Sequence, residues 1–214
     1  MFTNLTTQQV ENVQIDESVV FFDYGLSSER FLAPTRGGGN FIANVTIRDI
    51  EFDGRHGPTA GMQTIDDQTA SLKVTTINLS QDELLQAVPG ARVTGTGTDR
   101  TIKNPKSGLI PLTAYLKNIT VFAKMIGNKF KKITIHRPMN EGSLDVKFVQ
   151  KAEGELGLEF KAHYATSDLD GDLWEINEVT TAPTFPTDQV ESSSSSQVES
   201  SSSSSSSSNE TPNP

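Results

Sequence analysis

Asp168, Asp170 and Asp172 alternate as D-x-D-x-D, the way a calcium loop opens. The pattern then fails twice. Leu173 stands where a turn glycine is needed, and Val179 where a bidentate glutamate is needed, so a solvated turn ahead of Trp174 is the better reading. Gly95-Thr96-Gly97 suggests a phosphate loop, but Arg100 takes the third glycine position and no G-x-x-x-x-G-K-[ST] exists. Lys124, Lys129, Lys131 and Lys132 gather with Arg137 near Phe122 and Phe130. Cations among aromatics can hold single-stranded nucleic acid. In an acidic chain the favoured reading is a solvated hairpin, or a basic face that meets an acidic face of another copy. His56 lies in a glycine-rich loop, His136 precedes Arg137-Pro138, and His163 falls on the polar side of a strand. They form no acid–base set, and no serine elbow accompanies them. The chain has no cysteine, which excludes disulfides, thiolate catalysis and cysteine metal sites. No catalytic residue, metal ligand or cofactor is assigned, and the chain is read as a non-enzyme.

Charge narrows the classes further. The 214 residues carry 18 basic and 27 acidic side chains, a net charge of −9. A duplex-DNA binder needs the opposite balance to displace counterions. An acidic surface instead lets DNA slide past without adhering. No apolar run approaches the roughly 18 residues of a membrane helix. Met1 to Val10 has no basic flank leading into an apolar stretch, so no signal peptide is expected and synthesis is read as intracellular. Residues 191–214 hold 14 serines and nothing apolar larger than valine. Such a tract cannot offset its chain entropy by burial. We therefore divide the chain into a domain over 1–180 and a Pro/Ser-rich flexible tail over 181–214.

The elements that must position these residues are mostly strands, because a period of two dominates. From Glu155 to Tyr164, the residues Leu156, Leu158, Phe160, Ala162 and Tyr164 share one face. Leu144, Val146 and Phe148 suggest another strand. Asn118–Ile126 and Lys129–His136 flank Gly127-Asn128, which predicts a β-hairpin. Ser18–Tyr24 is a compact strand. Phe41–Phe52 is a long one whose apolar face slips phase near Arg48-Asp49, as a bulge would cause. Leu72 and Val74 slip similarly into Ile77 and Leu79. A long bent strand can serve two sheets or leave the body as an arm. One helix is predicted over 81–88. Ser80 and Glu83 suggest a capping box, Leu79 and Leu84 a staple, and Pro89-Gly90 a stop. Ala33–Asn40, with Arg36, Gly37, Gly38 and Gly39, and Asp53–Gly61, with Gly54, Arg55, Gly57 and Pro58, are read as loops. Gly54, Gly57 and Gly61 allow a path close to another backbone.

Asp23-Tyr24-Gly25, Arg36-Gly37-Gly38 and the run from Ile47 through Phe52, Asp53, Gly54, Arg55, Gly57, Pro58, Thr59 and Gly61 form an ordered series. Tyr115-Leu116-Lys117-Asn118, the Gly127-Asn128 hairpin, Phe160-Lys161-Ala162-His163-Tyr164 and Trp174-Glu175-Ile176 continue it. Over roughly residues 15–180 this series resembles the tail tube, or major tail, proteins of long-tailed bacteriophages. The serine-rich tail departs from that family's core.

The resemblance implies a mainly β fold, a β-sandwich or partly open barrel with one flanking α-helix. It implies six copies in a ring and rings stacked into a tube in the virion tail, assembled in the host cytoplasm. Inner strands join into one barrel whose lumen conducts the genomic DNA without specific binding. Partners would be further copies, the tape-measure protein, the tail terminator and tail-tip proteins, with no membrane anchor. The loop from Phe52 to Gly61 becomes the expected assembly interface, and Arg36, Gly37 and Gly38 a second interface loop. The serine tail needs space outside the tube, which favours a non-contractile tail. The alternative class is a head-decoration or surface-display β-sandwich carrying a serine-rich stalk.

Overall fold

A computed structural model describes residues 6–32, 34–147 and 153–185. Phe148 and the serine runs 192–196 and 200–208, on which the second predicted strand and the flexible tail partly rest, lie outside the described residues.

The chain runs through α1 (Thr7–Glu11), β1 (Gln14–Phe22), β2 (Arg30–Leu32), β3 (Thr35–Asp49), β4 (Gln63–Thr76) and α2 (Gln81–Ala87). Then follow β5 (Arg92–Thr94), β6 (Thr101–Lys103), β7 (Asn118–Met125), β8 (Phe130–His136), β9 (Met139–Asn140), β10 (Val146–Lys147), β11 (Glu155–Lys161) and β12 (Trp174–Val179). The fold is mainly β, and its sheets do not close into a barrel. One sheet has the order β12-β8-β7-β1-β2 and the other β10-β11-β4-β3, with β9 also on β11. β5 and β6 form a separate ribbon. Among the described residues no helix is long and apolar enough to cross a membrane.

Alternation makes the core. Val20 and Phe22 of β1, Ile119 and Val121 of β7 and Ile135 of β8 face Leu72 and Val74 of β4 and Leu156, Leu158 and Phe160 of β11. The rings of Phe22 and Phe160 meet edge to face at 5.4 Å across this seam. Each such side chain, once buried, contributes about 1.5–3 kcal/mol. The β7–β8 hairpin forms as predicted, and Asn128 takes the left-handed conformation at its turn, with φ 53°. β11 stops at Lys161, three residues short of the predicted end.

Three local expectations change. The loop predicted over Ala33–Asn40 is largely strand, because β3 starts at Thr35 and pairs with β4. Gly37 and Gly38, at φ 76° and 71°, are absorbed as extra residues between the pairs Arg36–Thr75 and Gly39–Val74. Only glycine takes such angles freely, so a glycine run becomes a bulge rather than a break. The phase slip expected near Arg48-Asp49 falls between Thr46 and Ile47, and the extra residue is Asp66 on the partner strand. The capping box of α2 is half made. Ser80 Oγ accepts from the Glu83 amide at 3.3 Å, but the Ser80 amide donates to Asn78 Oδ1 and the Glu83 carboxylate turns to Arg30. A complete capping box instead joins Thr6 and Gln9 at α1, a helix the sequence reading did not place.

Residues 181–185, read from sequence as the start of the tail, lie within the described part of the chain. Phe185 seats its ring 5.8 Å from Phe21 and 5.4 Å from Phe31.

Candidate functional site

β3 and β4 together form an arm. β11 pairs with β4 only from Ser71 to Thr76. Outward from Ala43 and Ala70 the hairpin is therefore a two-stranded ribbon, and its residues from Ala43 to Thr69 are almost all exposed. Six steps along β3, from Ala43 to Asp49, carry it about 20 Å beyond the body.

Directly opposed residues of an antiparallel pair share a face. Phe41 with Leu72 and Ala43 with Ala70 lie on the core face, and Val45, then Ile47 with Ile65, continue it outward. Leu72 and Ala70 are buried, yet Val45, Ile47 and Ile65 are 48%, 59% and 57% exposed. The core face thus runs out along the arm with none of the described residues over it. The opposite face carries Asn44, Thr46 and Arg48, and Arg48 Nε donates to Asp66 Oδ2 at 2.8 Å.

The tip holds the predicted interface residues. Ile50 and Phe52 are 41% and 46% exposed, and Asp53, Gly54, Gly57, Pro58 and Gly61 are exposed beside them. Gly54 and Gly61, at φ 84° and 82°, turn the chain. Arg55 is the internal clamp. Its guanidinium donates to Asp49 and, at 2.7 Å, to the Gly57 carbonyl. Glu51 and Asp53 have no ion partner among the described residues.

The second predicted site lies elsewhere. Arg36 is not on a free loop. It bridges Glu153 at 2.8 Å and Glu155 at 3.0 Å, and the Arg36 hydrogen bond holds the Glu153 carboxyl below its ordinary range. Gly37 and Gly38 rim a trough of about 510 Å³ whose other cation, Lys73, is paired with Glu159 at 3.3 Å.

The lysine hairpin is not one basic face. Lys132 opposes Phe122, whereas Lys131 opposes Ala123, so the two point to opposite sides of the sheet. Phe122 is only 3% exposed and packs on Phe21 and Tyr24, which removes it as a stacking platform. Lys132 Nζ lies 5.2 Å over the Tyr24 ring.

A third cluster has no signal in the local sequence. A cavity of about 380 Å³ opens between Leu112, Tyr115, Leu116, Tyr164, Lys117 and Arg137. Tyr115 and His163 meet edge to face at 5.1 Å. His163 Nε2 lies 3.0 Å from Glu141 Oε1, and Lys161 Nζ donates to Glu141 Oε2 at 2.6 Å. The lysine hydrogen bond above all, helped by His163, holds the Glu141 carboxyl below its usual range. Glu141 in turn raises Lys161. These residues come from three separate chain segments, 112–117, 137–141 and 161–164, so no spacing in the sequence marks them.

A buried ion pair anchors α2. Arg30 Nη1 donates to Glu83 Oε1 at 2.8 Å, with the glutamate side chain 5% exposed and the arginine lying 4.4 Å over the Phe22 ring. Burial pushes the Glu83 carboxyl up, against the opposing pull of Arg30. Asn140 ties the end of α2 to β11. Its Nδ2 donates to the Ala87 carbonyl at 2.7 Å, and its Oδ1 accepts from the Glu159 amide at 2.7 Å.

Among the described residues no group of three or more His, Asp or Glu side chains is placed to hold a metal ion. Asp168 closes a turn on the Ala165 carbonyl at 3.1 Å. No protein-family model and no curated protein matches the sequence.

Proposed function

We propose that this chain is a structural subunit that joins with copies of itself, in hexameric rings stacked as the tail tube of a long-tailed bacteriophage. The arm carries the reading. A two-stranded ribbon that extends the core face into solvent has no stabilising role within its own domain, because isolated hairpins are marginal and exposed apolar faces favour association. A neighbouring copy would cover Val45, Ile47 and Ile65. Among the described residues both sheets also keep open edges, β3 on one and β12 on the other, and repeating one head-to-tail contact closes a ring or extends a tube. The net charge of −9 suits a conduit that DNA traverses without adhering. In this reading the tape-measure, terminator and tail-tip proteins are the other partners, and no catalysis is involved.

Negative-stain electron microscopy of the concentrated chain, alone and with a tail-tip complex, tests it. Hollow rings or tubes are expected from the full chain, and a folded monomer from a chain lacking residues 53–61. Normal tubes from the deletion would refute the role of the arm. A small closed oligomer that never stacks would favour a decoration or display module instead.

A further inference from the structure

We infer that the cavity beside Tyr115 is the socket for the arm tip of a neighbouring copy. Phe52 and Ile50 enter it, while Glu51 and Asp53 meet Lys117 and Arg137. The inference rests on the assembly reading above and adds the contact that reading lacks.

The tip and the cavity match in two respects. Both are apolar at the centre. Leu112 is 78% exposed at the cavity mouth, with Tyr115, Leu116 and Tyr164 as walls, and the volume of about 380 Å³ suits an aromatic ring with one branched side chain. Their rims are opposite in charge. Neither Lys117 nor Arg137 has an ion partner among the described residues. Glu141, the nearby acid, is already engaged by Lys161 and His163. On the tip Glu51 and Asp53 are equally unpaired, because Arg55 is held by Asp49 and Gly57.

The cavity is also rigidly presented. The Lys117 amide donates to Asp23 Oδ1 at 2.7 Å. Arg137 sits at φ 46°, an unusual angle for a residue with a side chain. Its amide donates to the Lys117 carbonyl at 3.1 Å, and its own carbonyl lies 3.3 Å from His163 Nδ1. Strain of this kind persists where surrounding contacts over-determine it, often at binding sites. The other cationic surfaces fit less well. Arg36 and Lys73 are already paired, and the hairpin lysines point to two sides of a sheet.

The test is charge exchange. Lys117→Glu with Arg137→Asp reverses the socket, with aspartate chosen because it tolerates a positive φ. Glu51→Lys with Asp53→Lys reverses the tip. Like charges brought together should raise the critical concentration for assembly by about a hundredfold in either variant. Combining all four substitutions in one chain should return it to near the unaltered value. Circular dichroism of each variant establishes folding, and Phe52→Ala, an exposed change, supplies an independent loss of assembly. Two results overturn the socket and leave the assembly reading standing: either reversal assembling normally, or folded reversed variants that the combination does not rescue. An unaltered chain that forms no rings or tubes, even with a tail-tip complex, overturns both.

Discussion

Replacing Ile47 and Ile65 by threonine should leave the monomer folded and raise the concentration at which it assembles. The two residues oppose each other on the arm and are 59% and 57% exposed. Full burial of an isoleucine contributes about 1.5–3 kcal/mol, so the share still to be gained is about 0.9–1.8 kcal/mol for each. Together they offer about 2–3.5 kcal/mol per contact, available only when a neighbour covers them. Threonine keeps the branched Cβ that strands favour but gives up most of that sum. About 2 kcal/mol corresponds to roughly thirtyfold in affinity. Sedimentation across a concentration series reads the shift, and thermal melts by circular dichroism read the monomer. An unchanged assembly threshold would mean that this face stays uncovered. A melting temperature that falls by many degrees would mean that the arm stabilises its own domain, and the argument from its exposure would fail.

Other outcomes follow from the body of the domain. Arg30→Met or Glu83→Leu alone should cost about 2–4 kcal/mol, because each leaves an unpaired charge in a mostly buried site, whereas the double variant should come within about 1 kcal/mol of the parent. Urea denaturation measures this, and single losses that merely add would refute the coupling. Gly38→Ala should lose about 1–2 kcal/mol at φ 71°, while Gly157→Ala, with no positive φ and open space around its Cβ, should be nearly neutral. Equal effects in melts of the two variants would contradict the bulge. Glu141 has a lowered carboxyl pKa, so its stabilisation is present above the ordinary carboxylate value and fades as pH falls through the folded value. Glu141→Gln should therefore flatten the acid limb of a stability-against-pH curve, and an unchanged limb would remove the pair from the account.

What the sequence disclosed depended on whether the cause was local. The β7–β8 hairpin was legible because alternation and a Gly-Asn turn lie within one stretch. β11 was legible because Leu156, Leu158 and Phe160 are all buried on one face. The tip loop was legible from its glycines, and the arm was one of the two courses open to a long bent strand. Arg36 to Gly39 misled because a glycine run has the composition of a loop, and only pairing with β4 turns it into a bulge. Glu83 misled because its partner, Arg30, stands 53 residues away and outcompetes the cap. The lysines misled because strand geometry sends neighbours to opposite sides. α1 could have been found, since Thr6 and Gln9 are a complete capping signal. The Tyr115 cavity could not, because chain segments far apart in sequence build it.

Phe41 sits at the root of the arm, and its ring meets Trp174 edge to face at 5.7 Å. Trp174 is the single tryptophan of the chain. β3 runs without interruption from Phe41 to Asp49. A strand gripped at its far end acts as a lever on its near end, so engagement of the arm would shift the indole against the phenylalanine ring. Under the proposed assembly this pair would be a built-in optical gauge, and growth would be followed by emission in real time without attaching a dye.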